Sequence, residues 1–100
     1  MNTIKIDLKA DMAETFVQLF GEYMNMNYTE ADDKLVMAVL AEFRISLMKK
    51  LLNPKPKYKI TLEAATAIAL QIFYDDFIGE YTSSVGNKLH QISNQVKRTY

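Results

Sequence analysis

Few side chains in this sequence are of a kind that does chemistry. There is one histidine, His90. A histidine works as a general base when a carboxylate or hydroxyl holds its ring, and no carboxylate stands at helical spacing around His90. Glu80 and Asp76 could reach it only through the fold. Two adjacent carboxylate pairs occur, Asp32-Asp33 and Asp75-Asp76. Neighbouring residues on a helix point in different directions, so neither pair is a clamp by itself. Asp32-Asp33 suits a helix start, where the macrodipole favours negative charge. Asp75-Asp76 falls late in an apolar helix, where that field opposes it. Asp76 therefore either turns inward to a base such as Arg44 or lies on an exposed strip.

The remaining inventory is short. Cysteine is absent, which excludes disulfides, thiolate metal sites and thiol nucleophiles. The Glu-x-x-His spacing of helical metal sites is missing. The only glycines are Gly21, Gly79 and Gly86, too few and too scattered for a phosphate-cradling loop. No enzyme, metal or small-molecule cofactor is expected.

Lysines are the more informative group. Lys49, Lys50, Lys55, Lys57 and Lys59 fall within eleven residues, with Tyr58 between the last two. Lysines neutralise phosphates, and an exposed tyrosine can stack on a base. A second basic stretch holds Lys88, Lys97 and Arg98, with Gln91, Asn94 and Gln95 able to bond base edges. A helix-turn-helix can be laid on residues 82–98 with Gly86 in the turn, although the match is weak. Against a nucleic-acid role, the formal net charge is zero. That balance is uneven along the chain: residues 1–48 carry four basic and eight acidic groups, and residues 49–100 carry eight basic and four acidic groups.

Six methionines and six tyrosines form the other distinctive set. Met12, Met37 and Met48 fit core or near-core positions. Met24 and Met26, beside Tyr23 and Tyr28, stand at a helix end and suit an adaptable contact surface. Tyr74, Tyr81 and Tyr100 fit core edges or interface anchors.

These side chains must be positioned by helices. Residues 3–6 alternate polar and apolar as an extended lead-in. Asp7 then reads as an N-cap, followed by a helical stripe of Leu8, Met12, Phe16, Leu19, Phe20 and Tyr23. Asn25 and Asn27 mark its end. Thr29 reads as the cap of a second helix, with acids in its first turn and Lys49-Lys50 in its last. That helix carries two apolar seams. One is Val36, Leu40, Phe43, Leu47 and Leu51; the other is Leu35, Ala38, Ala41, Ile45, Met48 and Leu52. Two seams predict a central helix with neighbours on both sides. Asn53-Pro54-Lys55-Pro56 stops it.

Lys57-Tyr58-Lys59-Ile60 alternates again, and Thr61 reads as a third cap. From Ala64 to Phe73 the chain is apolar nearly all round, which predicts the most buried helix. Its stripe continues through Ala67, Leu70, Tyr74, Phe77 and Tyr81. Thr82-Ser83-Ser84 and Gly86-Asn87 interrupt the pattern. A fourth helix then presents Val85, Leu89, Ile92 and Val96 on its apolar face.

The two halves also align. Lys5-Ile6-Asp7-Leu8 matches Lys59-Ile60-Thr61-Leu62, Ala10 matches Ala64 and Ala13 matches Ala67. After a one-residue gap Gln18 falls on Gln71, Phe20 on Phe73, Tyr28 on Tyr81 and Thr29 on Thr82. A compensating gap sets Lys34-Leu35 on Lys88-Leu89. A repeat of roughly 54 residues would make 4–50 and 58–99 two extended–helix–helix units.

The expected fold is therefore all-α or nearly so: one domain over 1–100 of four helices, with the lead-ins able to pair as a two-stranded ribbon. Half of the residues are apolar, enough for a core in a single domain of this length. No stretch is long and apolar enough for a membrane span, and the N-terminus lacks the apolar run of a signal peptide, so the cytoplasm is the expected compartment. The leading function is a non-catalytic module that binds another protein or itself as a homodimer, with Tyr23, Met24, Met26 and Tyr28 at the interface. The alternative is a nucleic-acid-binding protein using Lys55, Lys57, Tyr58, Lys59, Lys88, Lys97 and Arg98.

Overall fold

A computed structural model describes residues 3–78 and 84–99. The element order is β1 (Ile4–Lys9), α1 (Ala10–Met24), α2 (Ala31–Leu51), β2 (Lys57–Leu62), α3 (Ala64–Phe73) and α4 (Ser84–Thr99). A π-helical turn, Tyr74–Ile78, prolongs α3. The described residues are mostly helical, four helices with one two-stranded antiparallel ribbon. No helix among the described residues is long and apolar enough to cross a membrane.

The ribbon is longer than the lead-ins suggest. β1 and β2 pair in the register Ile4↔Leu62, Ile6↔Ile60 and Leu8↔Tyr58. The Ala10 amide extends the ladder by donating to the Pro56 carbonyl at 3.1 Å. All six of those strand side chains are buried, while the intervening residues face solvent. One face of the ribbon therefore roofs the helical core. This overturns two expected caps. Asp7 and Thr61 lie inside strands, and Lys9 and Glu63 occupy the N-cap positions without side-chain cap bonds. Leu8 belongs to the strand alternation rather than to the stripe of α1. Glu30, not Thr29, precedes α2, again without a side-chain cap bond.

The core is a single apolar cluster. Phe16, Phe20, Leu40, Leu47, Leu70, Phe73, Leu89 and Ile92 are essentially inaccessible. Phe20 is its hub, with ring centroids 5.5 Å from Phe16, 6.1 Å from Phe43 and 5.3 Å from Phe73. Edge-to-face and tilted contacts of this kind add to the area they bury. α3 buries Ala67, Ala69, Leu70 and Phe73, yet leaves Ile68 at 38% exposure. α4 buries Leu89, Ile92 and Val96 as its periodicity predicts. Gly86 and Asn87 lie inside α4 rather than in a turn, because the helix starts at Ser84. The helix-turn-helix placement therefore fails.

Among the described residues, the second seam of α2 has no neighbour along most of its length. Val36, Leu40, Phe43 and Leu47 are buried, whereas Leu35, Ile45, Met48 and Leu52 are 67%, 52%, 44% and 84% exposed. α2 packs along α1 and α3 on its core side, so it is a flank of the bundle and not its centre.

Strand–helix–helix occurs twice in the element order. At the offset that sets Ile6 on Ile60, α1 starts on the start of α3 (Ala10, Ala64). Buried positions then coincide without a gap: Ala13 with Ala67, Phe16 with Leu70, and Phe20 with Tyr74. The sequence alignment broke at this point by setting Phe20 on Phe73. In the second helices the coincidence shifts by one residue. Val36, Leu40 and Phe43 meet Leu89, Ser93 and Val96, all buried. Leu35 therefore does not match Leu89, since Leu35 faces solvent.

Candidate nucleic-acid interface

The alternation that buries one face of the ribbon forces its polar residues onto the other. That outer face carries Lys5, Asp7 and Lys9 from β1 and Lys57, Lys59 and Thr61 from β2, all exposed. Register sets Lys5 opposite Thr61, Asp7 opposite Lys59 and Lys9 opposite Lys57. Four ammonium groups and one carboxylate thus share a surface two strands wide. The Asp7 carboxylate lies 3.8 Å from the Lys57 ammonium, and both side chains are half-exposed.

A shallow groove borders this face. It is lined by Lys49 and Lys50 from the end of α2, Lys55 from the connection, and Lys57 and Lys59 from β2. The fold thus joins the lysine-rich loop to the helix end before it. On the far side, Lys88 of α4 lies with Lys9, Asp7 and Asp11 around a second depression.

Tyr58 does not serve as expected. It is buried, because its position in β2 points inward. Its hydroxyl accepts from the Lys55 amide and donates to the Asn53 carbonyl, both at 3.1 Å. It is a strut for the basic loop rather than a stacking platform. Lys97 lies 3.6 Å from the Asp75 carboxylate. Arg98 is exposed at the end of α4. Of the seven basic-site residues expected, Lys55, Lys57 and Lys59 are brought together, and Lys88 reaches the β1 side.

The aromatic and methionine set is drawn largely into the fold. The Tyr23 ring stands edge-on to Phe73 and Phe77, with centroids at 5.0 and 5.7 Å. Tyr28 stands edge-on to Phe77 at 5.9 Å, and its hydroxyl donates to the Tyr23 carbonyl. Burial, with Tyr23 and Asp33 nearby, raises the Tyr28 phenol above its ordinary value. Met24 is half-buried, and Met26 is 54% exposed. Tyr81 and Tyr100 lie outside the described residues, as do Gly79, Glu80, Thr82 and Ser83.

His90 is half-buried beside the Tyr74 ring, with centroids 5.4 Å apart, and its Nε2 is 3.2 Å from the Asn94 amide. Asp76 is exposed, and Arg44 instead donates from Nε to the Val17 carbonyl at 2.8 Å. The inward pairing of Asp76 with Arg44 is thereby overturned. Asp75 is held by Gln71 and Lys97.

Lys5, Lys9 and Thr61 are the surface residues that sequence reasoning missed. Their signal was present in the period-two patterns Lys5-Ile6-Asp7-Leu8-Lys9 and Lys57-Tyr58-Lys59-Ile60-Thr61. It was cut short by assigning helix caps to Asp7 and Thr61.

What fold and surface define is a four-helix domain roofed by a two-stranded ribbon with a basic outer face. No protein-family model, no curated protein and no solved structure matches the chain.

Proposed function

We propose that this protein binds double-stranded DNA by laying its ribbon in the major groove. The observation that carries the reading is the outer face of the ribbon, where Lys5, Lys9, Lys57 and Lys59 point away from a face anchored by six buried side chains. A two-stranded ribbon is one of the two element types that the B-form major groove admits. The major groove of A-form RNA is too narrow for it. The core fixes which side chains are presented, so the reading element is rigid before contact.

Roles follow from side-chain chemistry. Lys5 and Lys59 are donors suited to guanine O6 and N7, and Asp7 is an acceptor suited to the cytosine amine. Lys49, Lys50 and Lys55, bordering the ribbon, suit the phosphates of the groove wall. The neutral net charge does not oppose this, because affinity for phosphate depends on local potential.

The symmetry of the ribbon supports a further part of the reading. Its register is centred on Ile6↔Ile60, so Lys5 and Lys59 occupy equivalent places on the two strands. We infer that the halves are copies of one strand–helix–helix unit and that the DNA site is an imperfect inverted repeat. The half-sites would agree where Lys5 and Lys59 read and differ where one strand has Asp7 and the other, at the equivalent place, has Thr61.

Fluorescence anisotropy with a labelled duplex of about 20 base pairs, at roughly 50 and 200 mM salt, tests the proposal. Binding that falls steeply with salt, and exceeds binding to single strands or double-stranded RNA, is expected. Absence of duplex binding at the lower salt would overturn it. Association with protein is the second reading, favoured by the uncovered seam of α2.

A further inference from the structure

The largest apolar exposure in the described residues lies on one helix, and its order is regular. Ala38, Ala41, Ile45, Met48 and Leu52 recur at spacings of three and four, the repeat of a coiled-coil seam. They lie opposite the buried Val36, Leu40, Phe43 and Leu47. Leu35 extends the stripe toward the start of the helix. Isolated exposed apolar residues are ordinary, but a contiguous stripe along one helix marks a contact surface.

We propose that this stripe is the interface with a second copy of this chain, paired antiparallel about Ile45. Two features select that occupant. The first is size. Small side chains, Ala38 and Ala41, fill the first half of the seam, and large ones, Met48 and Leu52, fill the second. Antiparallel pairing centred on Ile45 sets Ala38 against Leu52 and Ala41 against Met48 of the second copy, so small meets large along the seam. Parallel pairing would set alanine against alanine and leave a gap.

The second feature is charge. Glu42 and Lys49 are exposed and flank the stripe on the same edge. In the antiparallel register Glu42 of each copy comes beside Lys49 of the other, twice by symmetry. In a parallel register that edge would face the opposite edge of the mate, setting Lys49 beside Arg44. The antiparallel arrangement also aligns the helix dipoles favourably. One helix face is a small interface, so a weak dimer is expected, with a Kd on the order of 10–100 µM. The interface lies on α2 and is read without DNA; Lys49, at its edge, is shared with the basic groove.

Sedimentation equilibrium on the full chain, from about 5 µM to 1 mM, reads the association directly. A shift from monomer to dimer across that range is expected, and a monomer throughout would overturn the proposal. Ile45→Glu should abolish dimer while leaving the circular-dichroism melt intact, since the side chain is 52% exposed. Persistence of the dimer in that variant would place the interface elsewhere and also overturn it. Orientation has its own test. Glu42→Lys and Lys49→Glu should each weaken the dimer at least several-fold, and an equimolar mixture of the two should restore it. A mixture that associates no better than either variant alone would contradict the antiparallel register.

Discussion

The Asp7 carboxylate sits 3.8 Å from the Lys57 ammonium, across the ribbon and between four lysines. Both groups are half in water, so the pair contributes roughly 0–1 kcal/mol to stability. Its larger effect is on the surface, where it removes one positive charge from the face presented to DNA. Asp7→Asn should therefore leave the melting temperature nearly unchanged and tighten non-specific duplex binding several-fold at low salt. Thermal melts and anisotropy titrations on the same preparation check both halves. An equal loss of stability and affinity would show that Asp7 shapes the ribbon instead.

Arg44 covers Gly21. A Cβ built on Gly21 would meet the Arg44 guanidinium at 2.9 Å, while Arg44 Nε donates to the Val17 carbonyl. In most helix interiors Gly→Ala gains about 1 kcal/mol. Here the methyl group displaces the guanidinium, so Gly21→Ala should be near neutral or destabilising in the native chain. In an Arg44→Ala background the same change should stabilise by about 1 kcal/mol. A double-mutant cycle by chemical denaturation measures the coupling.

Phe20 joins α1 to α2 and α3 through Phe43 and Phe73. It is fully buried, so Phe20→Ala should cost about 3–5 kcal/mol. The midpoint of urea unfolding reads this, and a loss under 1 kcal/mol would mean that the cluster is not the keystone of the core.

How much of this was legible in the sequence depended on period. The helical stripes of α1, α2 and α4 were readable because gaps of three and four put Phe16 and Phe20, or Leu89, Ile92 and Val96, on one face. The strands were half readable. Alternation marks 3–6 and 57–60, but Asp7 and Thr61 are good cap residues, and cap chemistry is local whereas the pairing joins segments far apart in the chain. The pairing Ile4↔Leu62 extended both strands and moved both helix starts. Lys55, Lys57 and Lys59 were identified from their clustering, whereas the inward turn of Tyr58 follows from strand phase. The open seam of α2 could not be read, since two apolar faces fit a central helix as well as one with an uncovered side.

Tyr28 offers a pH test. Its phenol is raised above the ordinary value of 10.0, first by burial and then by Tyr23 and Asp33. A phenol that holds its proton more tightly when folded stabilises the fold fully below the unfolded pKa, and that contribution is lost as pH rises through the folded value. Tyr28→Phe loses the bond to the Tyr23 carbonyl, so it should be less stable at neutral pH by about 1 kcal/mol. The gap between wild type and variant should shrink above about pH 10. A gap constant from pH 8 to 11 would contradict that reading of the phenol.

The measurement that bears most directly on the central claim is the salt dependence of duplex binding in wild type and in a Lys50→Ala/Lys55→Ala variant. Each lysine that neutralises a phosphate contributes about one to the slope of log K against log salt. If the ribbon enters the groove and these lysines meet its wall, the double variant should bind more weakly and its slope should fall by about two. Lys97→Ala/Arg98→Ala, at the end of α4, should change it little. An unchanged slope in the Lys50→Ala/Lys55→Ala variant, or a larger change in the α4 variant, would contradict the account.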